Sequence, residues 1–168
     1  MRTYFLYLDS KPGDPLKEAA LRRVVEKACR HLEKLAPGLI NFEEPMDEMD
    51  LAQSKFPIIT FRFRAFGNDD TAQWRRVRSE EPVIYEVAFS VNHAWAARWW
   101  HAFIGRNHDL YTHCLHELLH VIGLYPRLPS GAAYHNPDPG SVMHSHPRFP
   151  HLTDSDLGQL RYLLTTQS

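Results

Sequence analysis

The chain has 168 residues, of which 43% are hydrophobic and 23% are charged, a composition typical of a globular domain and not of a disordered segment. Its 19 basic and 20 acidic side chains nearly cancel, so the sequence lacks the basic footprint of a nucleic-acid-binding protein. It also lacks the run of about 18 apolar residues that a membrane-spanning helix requires. We therefore expect residues 1–168 to form one domain, with neither a nucleic-acid partner nor a membrane span.

The first two predicted elements are a strand and a long amphipathic helix. Residues 3–8 are mostly aromatic or apolar and lack the small-residue cleavage site of a signal peptide, so they predict a strand. Asp14 can cap a helix that begins at Pro15. Apolar residues then recur about every four positions until Pro37 and Gly38, which end the predicted helix.

Three further strands are predicted in the middle of the chain. Residues 39–42 form a short apolar run, and residues 57–66 alternate between apolar side chains and Thr or Arg. Residues 67–70 carry the turn signal Gly-Asn-Asp-Asp, and residues 82–91 form the next apolar run. The basic residues 75–78 between them are interpreted as a solvated loop.

The next predicted element, a helix over residues 109–124, carries the sequence His-Glu-Leu-Leu-His at positions 116–120. Side chains four residues apart lie on the same face of a helix, so His116 and His120 can bind one metal ion. Glu117 adjoins the first histidine and can act as the general base toward a zinc-activated water. The spacing therefore predicts a zinc hydrolase site on this helix.

Features downstream of this motif resemble the metzincin clan of zinc metallopeptidases, and most closely its matrixin branch. Gly123 extends the motif to His-Glu-x-x-His-x-x-Gly and permits a sharp left-handed turn after the helix. Residues 135–143, His-Asn-Pro-Asp-Pro-Gly-Ser-Val-Met, resemble the family segment that leads from the third zinc histidine to the Met-turn. Residues 151–164, with Thr153 as a cap, resemble the family's C-terminal helix.

The third zinc ligand departs from the family pattern, because Pro126 stands where the family has its last histidine. One explanation is an insertion over residues 125–134, after which His135 supplies the third nitrogen and the register is kept through the Met-turn. Asp138 is a second candidate, since carboxylate oxygens also bind zinc. The remaining candidates are the two histidines after the Met-turn, His144 and His146. The other explanation is that the chain has lost a ligand and is a catalytically degenerate binding module.

The resemblance implies an α+β fold: a twisted mixed sheet with an N-terminal helix, a zinc-binding helix, a Met-turn and a C-terminal helix. It further implies a Zn²⁺-dependent endopeptidase in which His116, His120 and His135 bind the metal. Glu117 would be the catalytic base, and Met143 would form an apolar floor beneath the metal.

The same resemblance sets expectations about partners. A protein or peptide is the expected substrate, an inhibitor or propeptide is the expected source of latency, and a monomer is the expected state. The first residues show no signal peptide, which leaves open an intracellular protein or the mature domain of a secreted one. A small metal-dependent endoribonuclease is a further interpretation, but the near-neutral charge and the retained glutamate disfavour it.

Some residues outside the motif carry separate expectations. Residues 83–91, followed by Trp95, resemble the family's edge strand, although an ordinary core strand has the same pattern. Cys29 and Cys114 are predicted to be two buried free thiols and not a disulfide. Asp156 resembles a family aspartate that ties the C-terminal helix to the Met-turn. Trp99 and Trp100 are expected to pack under a loop, with the lining of a substrate cleft as the alternative. His113, one turn before His116, is expected to pack or to meet solvent, with contact to the metal site as the alternative.

Overall fold

A computed structural model describes residues 1–9, 15–43, 54–67, 70–96, 108–125 and 134–166. Within these residues the chain forms a five-stranded mixed sheet, one short two-stranded pairing and three helices, which confirms the predicted α+β class. In chain order the elements are β1 (Arg2–Leu8), α1 (Pro15–Leu35), β2 (Ile40–Glu43), β3 (Ile58–Arg64), β4 (Ala72–Arg78), β5 (Ile84–Ser90), β6 (Trp95–Ala96), β7 (His108–Asp109), α2 (Leu110–Val121) and α3 (Asp154–Thr166). The predictions for Asp14, for residues 68–69 of the turn, for Trp99 and Trp100, and for Pro126 and the loop at 126–133 lie outside the described residues.

The main sheet has the strand order β2-β1-β3-β5-β4. β1 runs parallel to β2 and to β3, β3 runs parallel to β5, and β4 runs antiparallel to β5. Alternation gives β3 two distinct faces: Ile59 and Phe61 are fully buried, whereas Arg62 and Arg64 are only partly buried. Strands β1, β2, β3 and β5 confirm the strands predicted at residues 3–8, 39–42, 57–66 and 82–91.

Two predictions about the middle of the chain are wrong. Residues 75–78, interpreted as a solvated loop, belong to strand β4. Residues 83–91 contain β5, which is paired on both sides, so the alternative of an ordinary core strand is confirmed and the edge strand is not. Within the described residues the two edges of the sheet are β2 and β4. The second half of β4 is charged and exposed, so no apolar alternation marks it in the sequence. Charged side chains of this kind are common on edge strands, where they discourage pairing with other chains.

The hydrophobic core lies between one face of the sheet and the helices α1 and α2. On α1, Val25, Ala28 and Leu32 recur at helical spacing and are at most 1% exposed. Helix α2 passes through the centre of the molecule, and every one of its residues is buried. Asp109 caps this helix, because its carboxylate accepts a hydrogen bond from the backbone N–H of Thr112 at 3.1 Å.

The two cysteines of the chain lie in the core. Cys29 on α1 and Cys114 on α2 are both buried and free, as predicted. Burial raises the pKa of both thiols, so neither has thiolate character at neutral pH.

Among the described residues, no helix combines the length and the apolar character that crossing a bilayer would take.

The outer face of the sheet carries a cluster of ion pairs around Glu86 of β5. The side chain of Glu86 is only 5% exposed, and its Oε1 lies 3.2 Å from Nη1 of Arg64 and 2.7 Å from Nε of Arg75. Arg62 pairs with Glu86 as well and also contacts Asp9 at 3.2 Å. A carboxylate buried to this extent requires opposite charges around it. These contacts join β3, β5 and the edge strand β4 on the side of the sheet that faces away from α2.

Candidate metal centre

Helix α2 and the segment that follows residue 133 bring together the three histidines predicted as zinc ligands. The Nε2 atoms of His116 and His120 lie 3.1 Å apart. The ring of His135 lies 5.2 Å, centroid to centroid, from each of the other two rings. Within the described residues, these histidines are the one set of three potential ligands whose donor atoms all lie within 4.8 Å of one another. We call them the proximal group.

Backbone carbonyls fix the orientation of two rings in the proximal group. His116 Nδ1 lies 2.7 Å from the carbonyl oxygen of Val142. His120 Nδ1 lies 2.9 Å from the carbonyl oxygen of Tyr125 and 3.1 Å from that of Leu124. Because a carbonyl can only accept, each Nδ1 must carry the hydrogen, and each neutral Nε2 must present a lone pair. Partners of this type are characteristic of histidines that bind metals.

The turn after α2 supplies the carbonyls that contact His120. Gly123 has a φ of +102°, the left-handed conformation predicted from the motif, and Tyr125 also has a positive φ of 51°. A Cβ atom added at Gly123 would lie 3.3 Å from Cδ2 of Leu163 on α3. The positive φ favours glycine at this position, and a side chain there would also press on Leu163.

The electrostatics of the proximal group favour a bound cation. Burial holds the pKa of His116 well below its usual range, and the neighbouring His120 lowers it further. His116 is therefore neutral, and its Nε2 can present a lone pair to a cation that also binds Nε2 of His120. Tetrahedral zinc, with Zn–N bonds of about 2.0–2.1 Å, separates neighbouring ligand nitrogens by roughly 3.3 Å. The 3.1 Å separation of His116 and His120 fits such an ion.

Glu117 and the proximal group line a cavity of about 800 Å³. Glu117 is 6% exposed and directly follows His116 in α2. One wall of the cavity comes from the start of edge strand β4, where Trp74 stacks on His120 with a centroid distance of 6.1 Å and an interplanar angle of 23°. Another wall comes from residues 145–148, after the predicted Met-turn. Glu117 therefore lies beside the three imidazoles, in a cavity that is bordered by edge strand β4.

The predicted Met-turn is held in place by Asp156 of α3. Asp156 is fully buried and accepts hydrogen bonds from Oγ of Ser141 at 2.6 Å and from Nδ2 of Asn136 at 2.8 Å. It also accepts hydrogen bonds from the backbone N–H and the hydroxyl of Thr153, at 2.8 and 2.9 Å. Burial alone would raise the pKa of Asp156, but these hydrogen bonds outweigh it and hold the pKa below its usual value.

This network joins both segments that complete the proximal group. Ser141 precedes Val142, whose carbonyl orients His116, and Asn136 directly follows His135. The backbone N–H of Asn136 also donates to the carbonyl of Met143 at 2.9 Å. The predicted tie between the C-terminal helix and the Met-turn is therefore confirmed, and Met143 is fully buried in the core.

The other candidate ligands lie outside the proximal group. Asp138 is exposed, and its carboxylate accepts the backbone N–H of Gly140 at 2.8 Å, which makes it part of a surface turn. His144 and His146 form a local contact, with the backbone N–H of His146 donating to Nδ1 of His144 at 3.2 Å. His146 lines the cavity but is not one of the three clustered ligands.

Sequence reasoning missed a second set of histidines in the same cavity. His93, His108 and His113 line it together with the proximal group, and we call them the distal group. His113 was expected to pack or to meet solvent, with contact to the metal site as the alternative. It is 8% exposed, and its Nδ1 donates to the carbonyl of Asp109 at 3.0 Å. Burial lowers the pKa of His113 to about 4, although the bond to Asp109 partly offsets that effect. The pairing of β6 with β7, which brings Trp95 opposite His108, has no local signal in the sequence.

Comparison of the sequence with protein-family models and with curated proteins finds no match. The resemblance to metzincins therefore remains an interpretation of residues 109–164.

Proposed function

We propose that this chain is a zinc-dependent endopeptidase of the metzincin type. The observation that carries the proposal is the proximal group, with Glu117 beside it, in a cavity bounded by an edge strand. The three residues that would bind the metal are His116, His120 and His135. Imidazole nitrogens are donors that suit zinc.

The metal and Glu117 would have separate roles. Zinc held by three imidazoles keeps one coordination position open, lowers the pKa of water toward about 7 and polarises a carbonyl group. Glu117 would accept the proton of the attacking water and then deliver it to the departing amine. Its position in the cavity lining gives its carboxylate access to a substrate, and its burial limits competition from bulk water.

An extended peptide is the substrate class that the rim of the cavity favours. Ala72, Gln73 and Trp74 of β4 line the cavity, and no described strand pairs with the outer edge of β4. A peptide backbone laid along this edge would form the hydrogen bonds of an added strand. That arrangement would hold a peptide bond in the interior of a chain over the proximal group, as endopeptidase activity requires.

The second candidate is a metzincin-fold binding module without catalysis. Its support is Pro126, which replaces the family's third histidine in the sequence. It predicts zinc binding or peptide binding without turnover, whereas the endopeptidase proposal predicts turnover that depends on Glu117.

Glu117→Gln separates these two candidates, because it removes the base and keeps the size of the side chain. We expect the zinc content to be unchanged and peptide cleavage to fall by at least about 100-fold, the usual scale for loss of a general base. Cleavage would be measured by mass spectrometry on a mixed peptide library, and zinc by metal analysis after dialysis. Glu18→Gln, on the exposed surface of α1, is the matched control and should cleave like the wild type.

Two results would contradict the proposal in different ways. If the zinc-loaded wild type cleaves no peptide in the library, the binding module is the better description. If Glu117→Gln cleaves as fast as Glu18→Gln, the catalytic base lies elsewhere.

A further inference from the structure

Arg148 is the one cationic side chain that the described residues contribute to the lining of the cavity. It lies in the wall formed by residues 145–148, and another wall is formed by residues 70–74, at the start of edge strand β4. The ion pairs among the described residues use other arginines, namely Arg30, Arg62, Arg64 and Arg75. Within the described part of the chain, the guanidinium of Arg148 therefore has no carboxylate partner.

The two carboxylates that line the cavity are engaged elsewhere. Asp70 accepts a hydrogen bond from Nε2 of Gln73, and Glu117 directly follows a member of the proximal group on α2. A divalent ion on the proximal group would add two positive charges to the one of Arg148, which together exceed the two negative charges of Asp70 and Glu117. A cavity with this balance attracts an anionic group of a ligand.

The segment that carries Arg148 is held in place next to the candidate metal centre. The backbone N–H of Val142 donates to the carbonyl of His151 at 2.6 Å, which closes the loop between these two residues. The carbonyl of Val142 in turn accepts from Nδ1 of His116 at 2.7 Å. Pro147 directly precedes Arg148 and restricts the backbone there. The guanidinium is thus carried by a constrained loop that is tied to the proximal group.

A peptide added to the free edge of β4 would direct some of its side chains toward this loop. On β4 itself, Trp74 points to the cavity and stacks on His120, whereas Arg75 points to the other face of the sheet and contacts Glu86. An added strand continues the same alternation, so every second side chain of the peptide would project on the cavity side. A carboxylate on such a side chain can form two parallel hydrogen bonds with a guanidinium.

We propose that the cavity selects acidic peptides and that Arg148 is the specificity-determining residue, which pairs with a glutamate or aspartate side chain of the bound segment. This inference rests on the peptide recognition in the proposed function and adds the charge of the substrate. It does not require catalysis, because a binding module with the same cavity would have the same preference. Since Arg148 is exposed, the ion pair should improve affinity by only about 3–5-fold.

Zinc-loaded Glu117→Gln allows recognition to be measured without turnover. Sequences would be obtained by affinity selection from a random peptide library, and matched peptides that differ by Glu or Gln at one position would be compared by fluorescence anisotropy. We expect the Glu peptides to bind about 3–5-fold more tightly, and the difference to shrink at high salt. Adding Arg148→Gln should abolish the difference, adding Arg148→Lys should keep most of it, and adding Arg148→Glu should reverse it in favour of Lys peptides.

Arg161→Gln is the matched control, because it removes the same charge from an exposed position on α3 that does not line the cavity. It should keep the preference for Glu peptides, and zinc content measured in every variant reports that the proximal group is intact. Failure to select any peptide, selection of basic or neutral peptides, or a Glu preference that survives in Arg148→Gln would overturn the inference.

The same samples distinguish this inference from the proposed catalysis. If acidic peptides bind through Arg148 but the zinc-loaded wild type cleaves none of them, the endopeptidase proposal fails and the inference stands. If the wild type cleaves peptides in a manner that depends on Glu117 but shows no preference for acidic residues near the cleaved bond, the inference fails and the endopeptidase proposal stands.

Discussion

The proximal and distal histidine groups line one cavity, yet only the proximal group has donor atoms that all lie within 4.8 Å of one another among the described residues. His116 and His120 each donate Nδ1–H to a backbone carbonyl, and a buried aspartate holds the segments that complete the site. In the distal group, His113 alone contacts such a carbonyl among the residues that the structure describes. The comparison teaches that imidazoles lining one cavity do not by themselves form a set of converging metal ligands. The proximal group combines converging donor atoms with backbone acceptors that fix the direction of two of its rings.

The largest expected effect comes from removing the third member of the proximal group. His135→Ala should abolish stoichiometric zinc binding, because two histidines without a third hold the ion poorly. Asp138→Ala, three residues away on an exposed turn, should bind zinc like the wild type. Metal analysis after dialysis against a mild chelator measures both variants. Full zinc in His135→Ala, or loss of zinc in Asp138→Ala, would reverse the assignment of the third ligand.

A smaller effect is expected from the aspartate that supports the proximal group. Asp156→Asn should lower the free energy of unfolding by about 2–3 kcal/mol near neutral pH, because charge-assisted hydrogen bonds to Ser141, Asn136 and Thr153 are lost. Asp154→Asn, on the exposed first turn of α3, should cost less than about 1 kcal/mol. Urea unfolding monitored by circular dichroism measures both variants.

The effect of Asp156 should depend on pH with a defined sign. The folded-state pKa of Asp156 lies below its usual value, so its contribution is fully present above the unfolded-state pKa of about 3.9. That contribution is lost as the pH falls from there through the folded-state pKa. The stability gap between wild type and Asp156→Asn should therefore shrink below about pH 4. A gap that widened on acidification would contradict this account.

The smallest expected effect concerns the two tryptophans that contact the proximal and distal groups, Trp74 and Trp95. Trp74 stacks on His120, so Trp74→Phe should weaken zinc binding by less than about tenfold through looser packing of that ring. Trp95 contacts the distal group, so Trp95→Phe should leave zinc binding unchanged. Competition with a chromophoric chelator resolves differences of this size. A larger loss of zinc in Trp95→Phe would mean that the two groups are not independent.

Local sequence patterns were sufficient to predict most of the elements and the core of the site. The spacing of His116, Glu117 and His120 on a helix, and the left-handed turn at Gly123, depend on residues close together in the chain, and the structure has both features. The position of His135 beside them was anticipated only through a family resemblance, because no periodic pattern links it to α2.

The features that sequence reasoning missed depend on contacts between distant segments. Strand β4 has little apolar alternation, because it is an edge strand and its second half is charged and exposed. It can be identified as a strand only from its pairing with β5. The distal group assembles because the two-residue strands β6 and β7 pair across the intervening chain. Neither Trp95 nor His108 carries a local signal for that pairing. Elements this short are specified by tertiary packing and not by propensity.

The ion-pair cluster on the outer face of the sheet has a consequence for the cavity on the opposite face. Trp74 and Arg75 are neighbours on β4, and alternation directs them to opposite sides: Trp74 contacts His120, and Arg75 contacts Glu86. The strand that borders the cavity is thus clamped from behind by a charge network that contains no histidine. Salt, or a substitution that weakens the ion pairs of Glu86, would therefore affect the candidate metal centre by displacing strand β4. Such a change would leave every ligand chemically unchanged.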